Sequence, residues 1–281
     1  MTKIYGLIGH PVGHSLSPAM QNAAFKALKI DAEYKLFDVA PEELESFLKE
    51  LSKNNISGAN VTIPHKVKAK EYIEKNGSLN EHALKLGAVN TIKVEDGKLH
   101  GFNTDGPGFY RSLVEDLKFE PEGKSVFVLG AGGAARAIIM YLGNGPKKIF
   151  VADIDDCITE ELKKHYEKYY NWHKLEIVKK GDIGKALGAS DLLVQATPIG
   201  MHEDDPSPID PALLHPGLRI YDLVYNRPAT KLVQEATKRK LHATTGLGML
   251  LYQGAIAFEL WTGKKAPVDV MRKALKEALK G

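Results

Sequence analysis

The feature that most constrains the fold is a glycine-rich segment at residues 130–135, with the sequence Gly-Ala-Gly-Gly-Ala-Ala. It follows the apolar segment Ser125–Leu129, which is typical of a buried strand, and it precedes a helical pattern that extends to about Leu142. In such a unit the first glycine permits a tight turn, the second lets a pyrophosphate approach the backbone, and a small third residue lets helix and strand pack closely. The helix N-terminus also offers free N–H groups to phosphate oxygens. We therefore predict a dinucleotide site at Gly130, Ala131, Gly132, Gly133 and Ala134, although a strand-to-helix turn without a ligand also favours glycines.

Short apolar, β-branched segments alternate with helical patterns along the chain, which is typical of α/β units with largely parallel sheets. At 281 residues the chain is long enough for two domains. Turn-forming residues at positions 120–123 precede the glycine-rich unit. The sequence therefore predicts two α/β domains, the second of which starts between about Gly106 and Lys124.

The residues after the second predicted strand, residues 148–152, indicate the type of dinucleotide. Asp153 lies 23 positions after the first glycine, near the place where an acid hydrogen-bonds a ribose 2′-hydroxyl. Asp155 and Asp156 add negative charge, and no Lys or Arg follows until Lys163. A 2′-phosphate would be repelled here and would find no basic partner. The segment favours NAD, with NADP as the alternative, although a helix N-terminus rich in acids would also explain Asp155 and Asp156.

Polar side chains cluster where the N-terminal strands are predicted to end, and in open α/β sheets ligands bind beyond the carboxyl ends of the strands. These side chains are Ser15, Ser17, Asn60, Thr62, Lys66, Asn90 and Asp105. Their hydroxyl, amide, amine and carboxylate groups suit a small polyhydroxy acid, whose donors and acceptors need partners when buried. Simpler explanations exist for single members: Ser17 could cap a helix, Lys66 could be a solvated lysine, and Asp105 could form a turn.

Composition excludes several classes of partner. The 38 Lys and Arg against 35 Asp and Glu leave a net charge of only +3, and no basic segment indicates nucleic acid. No stretch of about 18 apolar residues indicates a membrane span. The single cysteine, Cys157, forms no internal disulfide and suits a reducing cytoplasm. His10, His14 and His65 lack the spacing or cysteine partners of a metal site, so we expect no metal.

Several segments together resemble the shikimate dehydrogenase family over nearly the whole chain. They are His-Ser-Leu-Ser-Pro at 14–18, Asn-Val-Thr-Ile-Pro-His-Lys at 60–66, Ala-Val-Asn-Thr at 88–91, Gly-Phe-Asn-Thr-Asp-Gly at 101–106, residues 130–136, Ala-Thr-Pro-Ile-Gly-Met at 196–201, Thr-Gly-Leu-Gly-Met at 245–249 and Gln-Gly-Ala at 253–255. The resemblance implies reversible, nicotinamide-dependent reduction of 3-dehydroshikimate to shikimate on the route to chorismate and the aromatic amino acids. It also implies a small-molecule substrate and a cytoplasmic enzyme, for which we expect a monomer or homodimer.

The resemblance further implies the role of individual residues. Ser15 and Ser17 hold the substrate carboxylate, and the residues that hold ring hydroxyls are Asn60, Thr62, Asn90 and Gln253. Lys66 and Asp105 are the implied catalytic pair, and Tyr225 lies near nicotinamide and substrate. The cofactor contacts implied beyond the glycine turn are Asp153, Thr197, Met201, Leu223, Gly246 and Met249. The C-terminal helices are expected to return to the first domain, which gives a substrate-binding domain of residues 1–105 plus 245–281, a Rossmann-like domain of residues 106–244 and a cleft between them.

The chain departs from the family pattern at residues 153–155. Many NADP-using members have Asn-Arg-Thr where this chain has Asp-Ile-Asp, which resembles NAD-using quinate/shikimate members. Both carboxylate-holding positions are serine, whereas a threonine at one of them marks some quinate users, so quinate stays a second candidate substrate. Two rival functions are a methylenetetrahydrofolate dehydrogenase, which needs a pocket for a flat pterin, and a nicotinamide sensor without activity, which has little use for Lys66 and Asp105 together.

Overall fold

The chain folds into two α/β units, as the alternation of strand and helix patterns predicts. In the computed structural model, which describes residues 1–51 and 53–280, the first unit comprises Met1–Gly108 and Leu251–Gly281. The second unit is the continuous segment Phe109–Leu250. Each division falls a few residues after the corresponding predicted domain boundary. Among the described residues, no helix combines the length and the apolar character that a membrane crossing requires.

The first unit contains a six-stranded mixed sheet with the order β2-β1-β3-β5-β6-β4. Its strands are β1 (Lys3–Gly9), β2 (Ala32–Asp38), β3 (Ile56–Val61), β4 (Gly77–Leu79), β5 (Thr91–Glu95) and β6 (Lys98–Phe102). Strand β1 pairs in parallel with β2 and β3, whereas β5 runs antiparallel to β3 and β6. A hairpin between β5 and β6 explains this antiparallel part, because Asp96 and Gly97 both have the positive φ that a tight two-residue turn needs. The sheet of the first unit is therefore mixed, and only the sheet of the second unit is parallel throughout.

Helices cover both faces of this sheet. The first five helices of the chain are α1 (Ser17–Ala27), α2 (Leu44–Glu50), α3 (Lys66–Asn76), α4 (Glu81–Leu86) and α5 (Asp105–Glu115). On one face the aliphatic side chains of Ile8, Leu48 and Ile92 belong to a continuous buried core. On the other face Tyr5 stacks on Phe25 and Trp261, with ring centroids 5.3 and 5.0 Å apart. This burial on both faces fixes the strand ends from which the polar clusters project.

The second unit has a six-stranded sheet with the order β12-β11-β10-β7-β8-β9, in which all neighbours are parallel. Its strands are β7 (Ser125–Leu129), β8 (Lys148–Ala152), β9 (Leu175–Ile177), β10 (Leu192–Gln195), β11 (Arg219–Asp222) and β12 (Ala243–Thr245). The helices that begin and end within it are α6 (Gly133–Leu142), α7 (Asp156–Glu167), α8 (Ile183–Gly188) and α9 (Lys231–Lys238). Counted along the chain, the order is the 3-2-1-4-5-6 order of dinucleotide-binding sheets.

Two C-terminal helices complete the fold. They are α10 (Leu247–Thr262) and α11 (Val268–Ala278). Trp261 of α10 joins the aromatic cluster of the first unit, and its Nε1 donates a 2.9 Å hydrogen bond to the Ile92 carbonyl. The C-terminal half of α10 is thereby tied to the strand that begins just after Asn90.

Candidate functional site

A lysine and a carboxylate meet in the first unit. Lys66 is the first residue of α3 and Asp105 is the first residue of α5, and each follows the end of a strand. Lys66 Nζ donates a 2.6 Å hydrogen bond to Asp105 Oδ2. The positive end of the α5 dipole further favours a carboxylate at Asp105. The side chains are 31% and 12% exposed, so the pair can still be reached by a small ligand.

Asn90 fixes the other oxygen of this carboxylate. Its Nδ2 donates to Asp105 Oδ1 at 2.8 Å and to Thr104 Oγ1 at 3.0 Å. Its Oδ1 accepts the Thr104 N–H at 2.8 Å and the Thr91 hydroxyl at 3.0 Å. Because both amide hydrogens are engaged, Asn90 acts in this structure as the residue that orients Asp105.

Asn60 continues the same network on the neighbouring strand β3. Its Nδ2 donates to the Asn90 carbonyl at 3.2 Å and to Thr91 Oγ1 at 3.0 Å. Its Oδ1 accepts a 2.8 Å hydrogen bond from the phenol of Tyr34, a residue that the sequence did not place in the site. Asn60, Asn90, Asp105 and Lys66 thus form one connected polar cluster.

The remaining predicted substrate residues flank this cluster. The N–H of Ser17 donates to Ser15 Oγ at 3.2 Å, which brings the two serines together. Ser17 is the first residue of α1 rather than its cap, since the N-cap position is Leu16, so the helix-cap explanation of Ser17 is wrong. Thr62 lies beside the end of β1, where its N–H donates to the Ile8 carbonyl at 2.9 Å. Gln253 lies on α10 and packs closely against Gly108. A Cβ added at Gly108 would lie 2.5 Å from the backbone N of Gln253.

The glycines of the turn in the second unit are needed for two different reasons. Gly130 has a φ of 105°, and an added Cβ would lie 2.9 Å from the Ala196 carbonyl group, so the fold itself requires glycine there. At Gly132 and Gly133 an added Cβ would meet nothing within 4 Å, and both residues are exposed. Packing does not require glycine at these two positions, whereas close approach of a pyrophosphate does. The turn therefore fits a dinucleotide.

Asp153 braces this turn from the end of β8. Its Oδ2 accepts the Ala131 N–H at 2.7 Å, and its Oδ1 accepts the Asp155 N–H at 3.1 Å. Asp155 caps α7 by accepting the N–H groups of Cys157 and Ile158, which is why that helix begins at Asp156. The helix-terminus explanation is thus correct for Asp155. Asp153, by contrast, presents its carboxylate beside the glycines.

Gln195 organises the loop that carries Thr197 and Met201. Its buried side chain accepts the Thr197 N–H at 2.6 Å and donates to the carbonyls of Thr197 and Ile199 at 3.1 and 2.7 Å. Further along, Asp205 Oδ2 accepts the N–H groups of His202 and Gly200, and these two hydrogen bonds lower the pKa of the Asp205 carboxyl. No sequence motif indicated a role for Gln195. The only signal for it was a polar residue at the end of an otherwise apolar strand.

The other predicted cofactor residues lie around the ends of β11 and β12. Gly246 approaches the Leu223 carbonyl so closely that a Cβ there would clash with the backbone. The N–H of Met249 donates to the Tyr221 hydroxyl at 3.1 Å, and that hydroxyl donates to Ser112 Oγ at 2.7 Å. Tyr225 is 39% exposed, so a ligand can reach its side chain.

Two of the three histidines considered for a metal, His10 and His65, lie in different surroundings. His10 Nδ1 lies 2.7 Å from Asp38 Oδ1, and buried His65 uses its Nε2 to contact the Val39 carbonyl at 2.7 Å. Within residues 1–51 and 53–280, no group of three or more His, Cys, Asp or Glu side chains is arranged to hold a metal ion.

The 3-2-1-4-5-6 parallel sheet and its glycine turn define a dinucleotide-binding protein of the Rossmann class, joined to a second α/β unit that carries a lysine–carboxylate pair. Comparison with known proteins is more specific. The family model described as the shikimate dehydrogenase substrate binding domain matches residues 7–92, and the one described as the shikimate 5′-dehydrogenase C-terminal domain matches residues 246–276. The chain belongs to the shikimate dehydrogenase family.

Individual relatives match over nearly the full length. A shikimate dehydrogenase (NADP(+)) of Methanopyrus kandleri is 46% identical, over 99% of this chain and 97% of its own. A crystal structure of a shikimate dehydrogenase in complex with NADP+ has a TM-score of 0.91 at 39% identity, over 99% and 96% of the two chains. A shikimate 5-dehydrogenase from Listeria monocytogenes, solved with shikimate and NAD, has a TM-score of 0.89 at 33% identity, over 97% and 96%.

Proposed function

We propose that the protein is a shikimate dehydrogenase, which reversibly reduces 3-dehydroshikimate to shikimate with a nicotinamide dinucleotide. The observation that carries this proposal is the Lys66–Asp105 pair, 2.6 Å apart and surrounded by amides and hydroxyls, in a chain of this family. In this reaction a small polyhydroxy acid is bound and one of its carbonyl groups becomes a hydroxyl. The product feeds the route to chorismate and the aromatic amino acids.

The binding residues supply complementary groups for such an acid. Ser15 and Ser17 hold the substrate carboxylate. The Ser17 N–H donates to Ser15 Oγ at 3.2 Å, which keeps the two residues together, and the Ser15 hydroxyl is the one that can donate a hydrogen bond to the carboxylate. Asn60, Thr62 and Gln253 hold ring hydroxyls. Asn90 holds the site together through Asp105, and because its amide hydrogens and Oδ1 are already engaged, its implied contact with substrate would replace one of these hydrogen bonds.

The chemical step needs a proton at the substrate oxygen. When bound, the dihydronicotinamide supplies a hydride to the C3 carbonyl. Lys66 Nζ uses one hydrogen on Asp105 and keeps two further N–H donors, so it can hold the carbonyl oxygen, stabilise its developing negative charge and donate the proton. Asp105, fixed by Asn90, keeps the amine in position, and in the reverse direction the same amine accepts the proton.

We further propose that NAD is preferred to NADP. This rests on the Asp153 carboxylate, whose two oxygens each keep a lone pair for a ribose hydroxyl after accepting the N–H groups of Ala131 and Asp155. A 2′-phosphate would lie beside this carboxylate and would be repelled. The relative from Methanopyrus kandleri is named for NADP(+), and the Listeria monocytogenes structure contains NAD, so the chain must be tested with both.

A reducing, cytoplasmic location is part of the same proposal, and it is supported by the single free cysteine, Cys157. The protein is expected to act as a monomer or homodimer, which light scattering on the purified protein distinguishes.

The test is to purify the protein and follow nicotinamide reduction with shikimate or quinate, each with NAD and with NADP. Turnover of shikimate with NAD supports both the reaction and the role of Asp153. Turnover with NADP alone keeps the reaction and overturns the cofactor preference. Turnover of quinate at a similar rate adds a second substrate, and silence in all four combinations overturns the proposed function.

A further inference from the structure

A tyrosine outside the predicted site lies behind two of the proposed substrate ligands. Tyr34 is on β2, directly beside Tyr5 of β1 in the parallel register, and it is only 2% exposed. Its ring belongs to the aromatic cluster, 6.1 Å from Trp261 between centroids. It cannot touch a substrate itself, so any effect on recognition must pass through its neighbours.

The phenol of Tyr34 joins the two ends of the polar cluster. Its hydroxyl donates a 2.8 Å hydrogen bond to Asn60 Oδ1, and the side chain of Ser17 hydrogen-bonds the same phenol. Burial raises the pKa of Tyr34, so the phenol stays a protonated donor wherever the protein is folded. A hydrogen-bonded path therefore runs from Ser17 through Tyr34, Asn60 and Asn90 to the catalytic carboxylate.

The hydrogen-bond inventory of Asn60 fixes what it can offer to a ligand. The Asn90 carbonyl can only accept, so the amide nitrogen of Asn60 must face it, and the second amide hydrogen goes to Thr91 Oγ1. Tyr34 occupies one lone pair of Oδ1. What is left is a single acceptor lone pair, and Asn60 has no hydrogen with which to bind a carbonyl or an ether oxygen.

We propose that Tyr34 is a positioning residue for substrate recognition, whose phenol holds Asn60 as a pure acceptor for a substrate hydroxyl and holds Ser17 beside it. The inference deepens the proposed function and rests on it. Asn60 accepts a hydrogen bond from a substrate hydroxyl that is present in both shikimate and 3-dehydroshikimate. The reacting carbonyl oxygen needs a hydrogen-bond donor and therefore binds at Lys66.

Tyr34→Phe removes the phenol oxygen and leaves the ring packing in place. We expect the Kd for shikimate, measured by calorimetry, to rise about tenfold, which corresponds to the loss of one buried hydrogen bond. The KM for shikimate should rise similarly, with kcat and the KM for the cofactor changed less than about twofold. The KM for 3-dehydroshikimate should rise by the same factor.

Tyr5→Phe is the matched control, since Tyr5 is equally buried in the same sheet and its hydroxyl bonds Ser57 instead. Both variants should lose similar thermal stability, but Tyr5→Phe should bind shikimate like the wild type. A role of Tyr34 in stability alone predicts equal shikimate affinity in the two variants, and that result would overturn the proposal.

A double-mutant cycle tests the path through Asn60. If Tyr34 acts through this residue, Tyr34→Phe should weaken shikimate binding much less in an Asn60→Ala background than in the wild type. Fully additive losses would overturn the path. A wild-type protein that neither binds nor turns over shikimate overturns the proposed function and this inference together, whereas an active wild type with an unaffected Tyr34→Phe variant overturns the inference alone.

Discussion

Lys66 Nζ lies 2.6 Å from Asp105 Oδ2, and the other oxygen of the same carboxylate is held at 2.8 Å by Asn90. The Lys66 amine is therefore held by a carboxylate whose own position is fixed by Asn90. The remaining hydrogens of the amine can bind a ligand. Such preorganisation is what a proton donor needs, because a donor that must first reorient loses part of its advantage.

Lys66→Ala should lower kcat far more than it weakens shikimate binding. Removal of a general acid costs about 10²–10⁴ in rate, whereas loss of one hydrogen bond to bound substrate costs about tenfold in Kd. Lys70→Ala is the control, since Lys70 lies on the same helix and pairs with Glu74. Steady-state kinetics and calorimetry separate the two effects. An equal loss in kcat and in affinity would contradict the catalytic role.

The glycine turn predicts opposite phenotypes for two substitutions. Gly130→Ala should lower the thermal unfolding temperature, because its positive φ costs about 1–3 kcal/mol and its methyl group meets the Ala196 backbone. Gly132→Ala has open space and an ordinary φ of −68°, so its unfolding temperature should stay near that of the wild type. Its Kd for the dinucleotide should nevertheless rise at least about tenfold, because the methyl group lies where the pyrophosphate approaches. Unchanged cofactor affinity in Gly132→Ala would place the dinucleotide elsewhere.

Asp153→Asn should narrow the preference for NAD over NADP. The amide oxygen of the asparagine can still accept the Ala131 N–H, so the glycine turn is kept, although the 3.1 Å hydrogen bond from the Asp155 N–H is lost. The charge that repels a 2′-phosphate is removed. The ratio of kcat/KM for NAD to that for NADP should fall about tenfold or more. Glu160→Gln, an exposed change in α7, controls for the loss of one negative charge. If the wild type already prefers NADP, the charge of Asp153 does not decide the cofactor.

Local features made much of the fold predictable. Strands β7 and β8 have the predicted bounds because each is a short apolar segment between turn-formers, and the first glycine between β7 and α6, Gly130, is required by backbone geometry. Residues 41–43 share the polar and apolar character of the helix that follows them, yet they form a turn and α2 begins only at Leu44. A pattern of apolar residues indicates that a helix exists and leaves its first turn undetermined.

Tertiary contacts made the rest unpredictable. Tyr34 resembles any tyrosine of a strand, and nothing in its neighbourhood indicates that its phenol reaches Asn60, which is 26 residues away. Asn90 was predicted to contact substrate, but its engagement of Asp105 and Thr104 depends on how two strand ends meet. Gln195 offered a weak signal, because a polar side chain at the end of a buried strand must find partners.

Gln195→Leu should weaken cofactor binding and leave shikimate binding intact. The substitution removes three hydrogen bonds to the backbone of Thr197 and Ile199, so the loop that carries the predicted cofactor contacts loses its fixed shape. We expect the Kd for the dinucleotide to rise about tenfold or more and the free energy of unfolding to fall by about 1–3 kcal/mol. Gln234→Leu on the exposed face of α9 is the control. A shikimate affinity reduced as strongly as that for cofactor would indicate general unfolding and not a local effect.

Asp222 predicts how stability depends on pH. The carboxyl is fully buried at the end of β11, and this burial raises its pKa, although hydrogen bonds from Thr230 and Val224 act in the opposite direction. The folded protein therefore binds this proton more tightly than the unfolded chain does. The resulting stabilisation is complete below about pH 4, the ordinary value for an unfolded aspartate, and is lost as the pH rises through the folded-state pKa.

Asp222→Asn stays neutral at every pH, so it lacks this loss. The unfolding temperature of the variant minus that of the wild type should become more positive between about pH 4 and about pH 8, whatever its sign at the start. Melting curves over that range measure the difference, with the exposed Asp204→Asn as control. A difference that stays constant, or that moves against the variant as the pH rises, would mean that the hydrogen bonds from Thr230 and Val224 outweigh the burial of the Asp222 carboxylate.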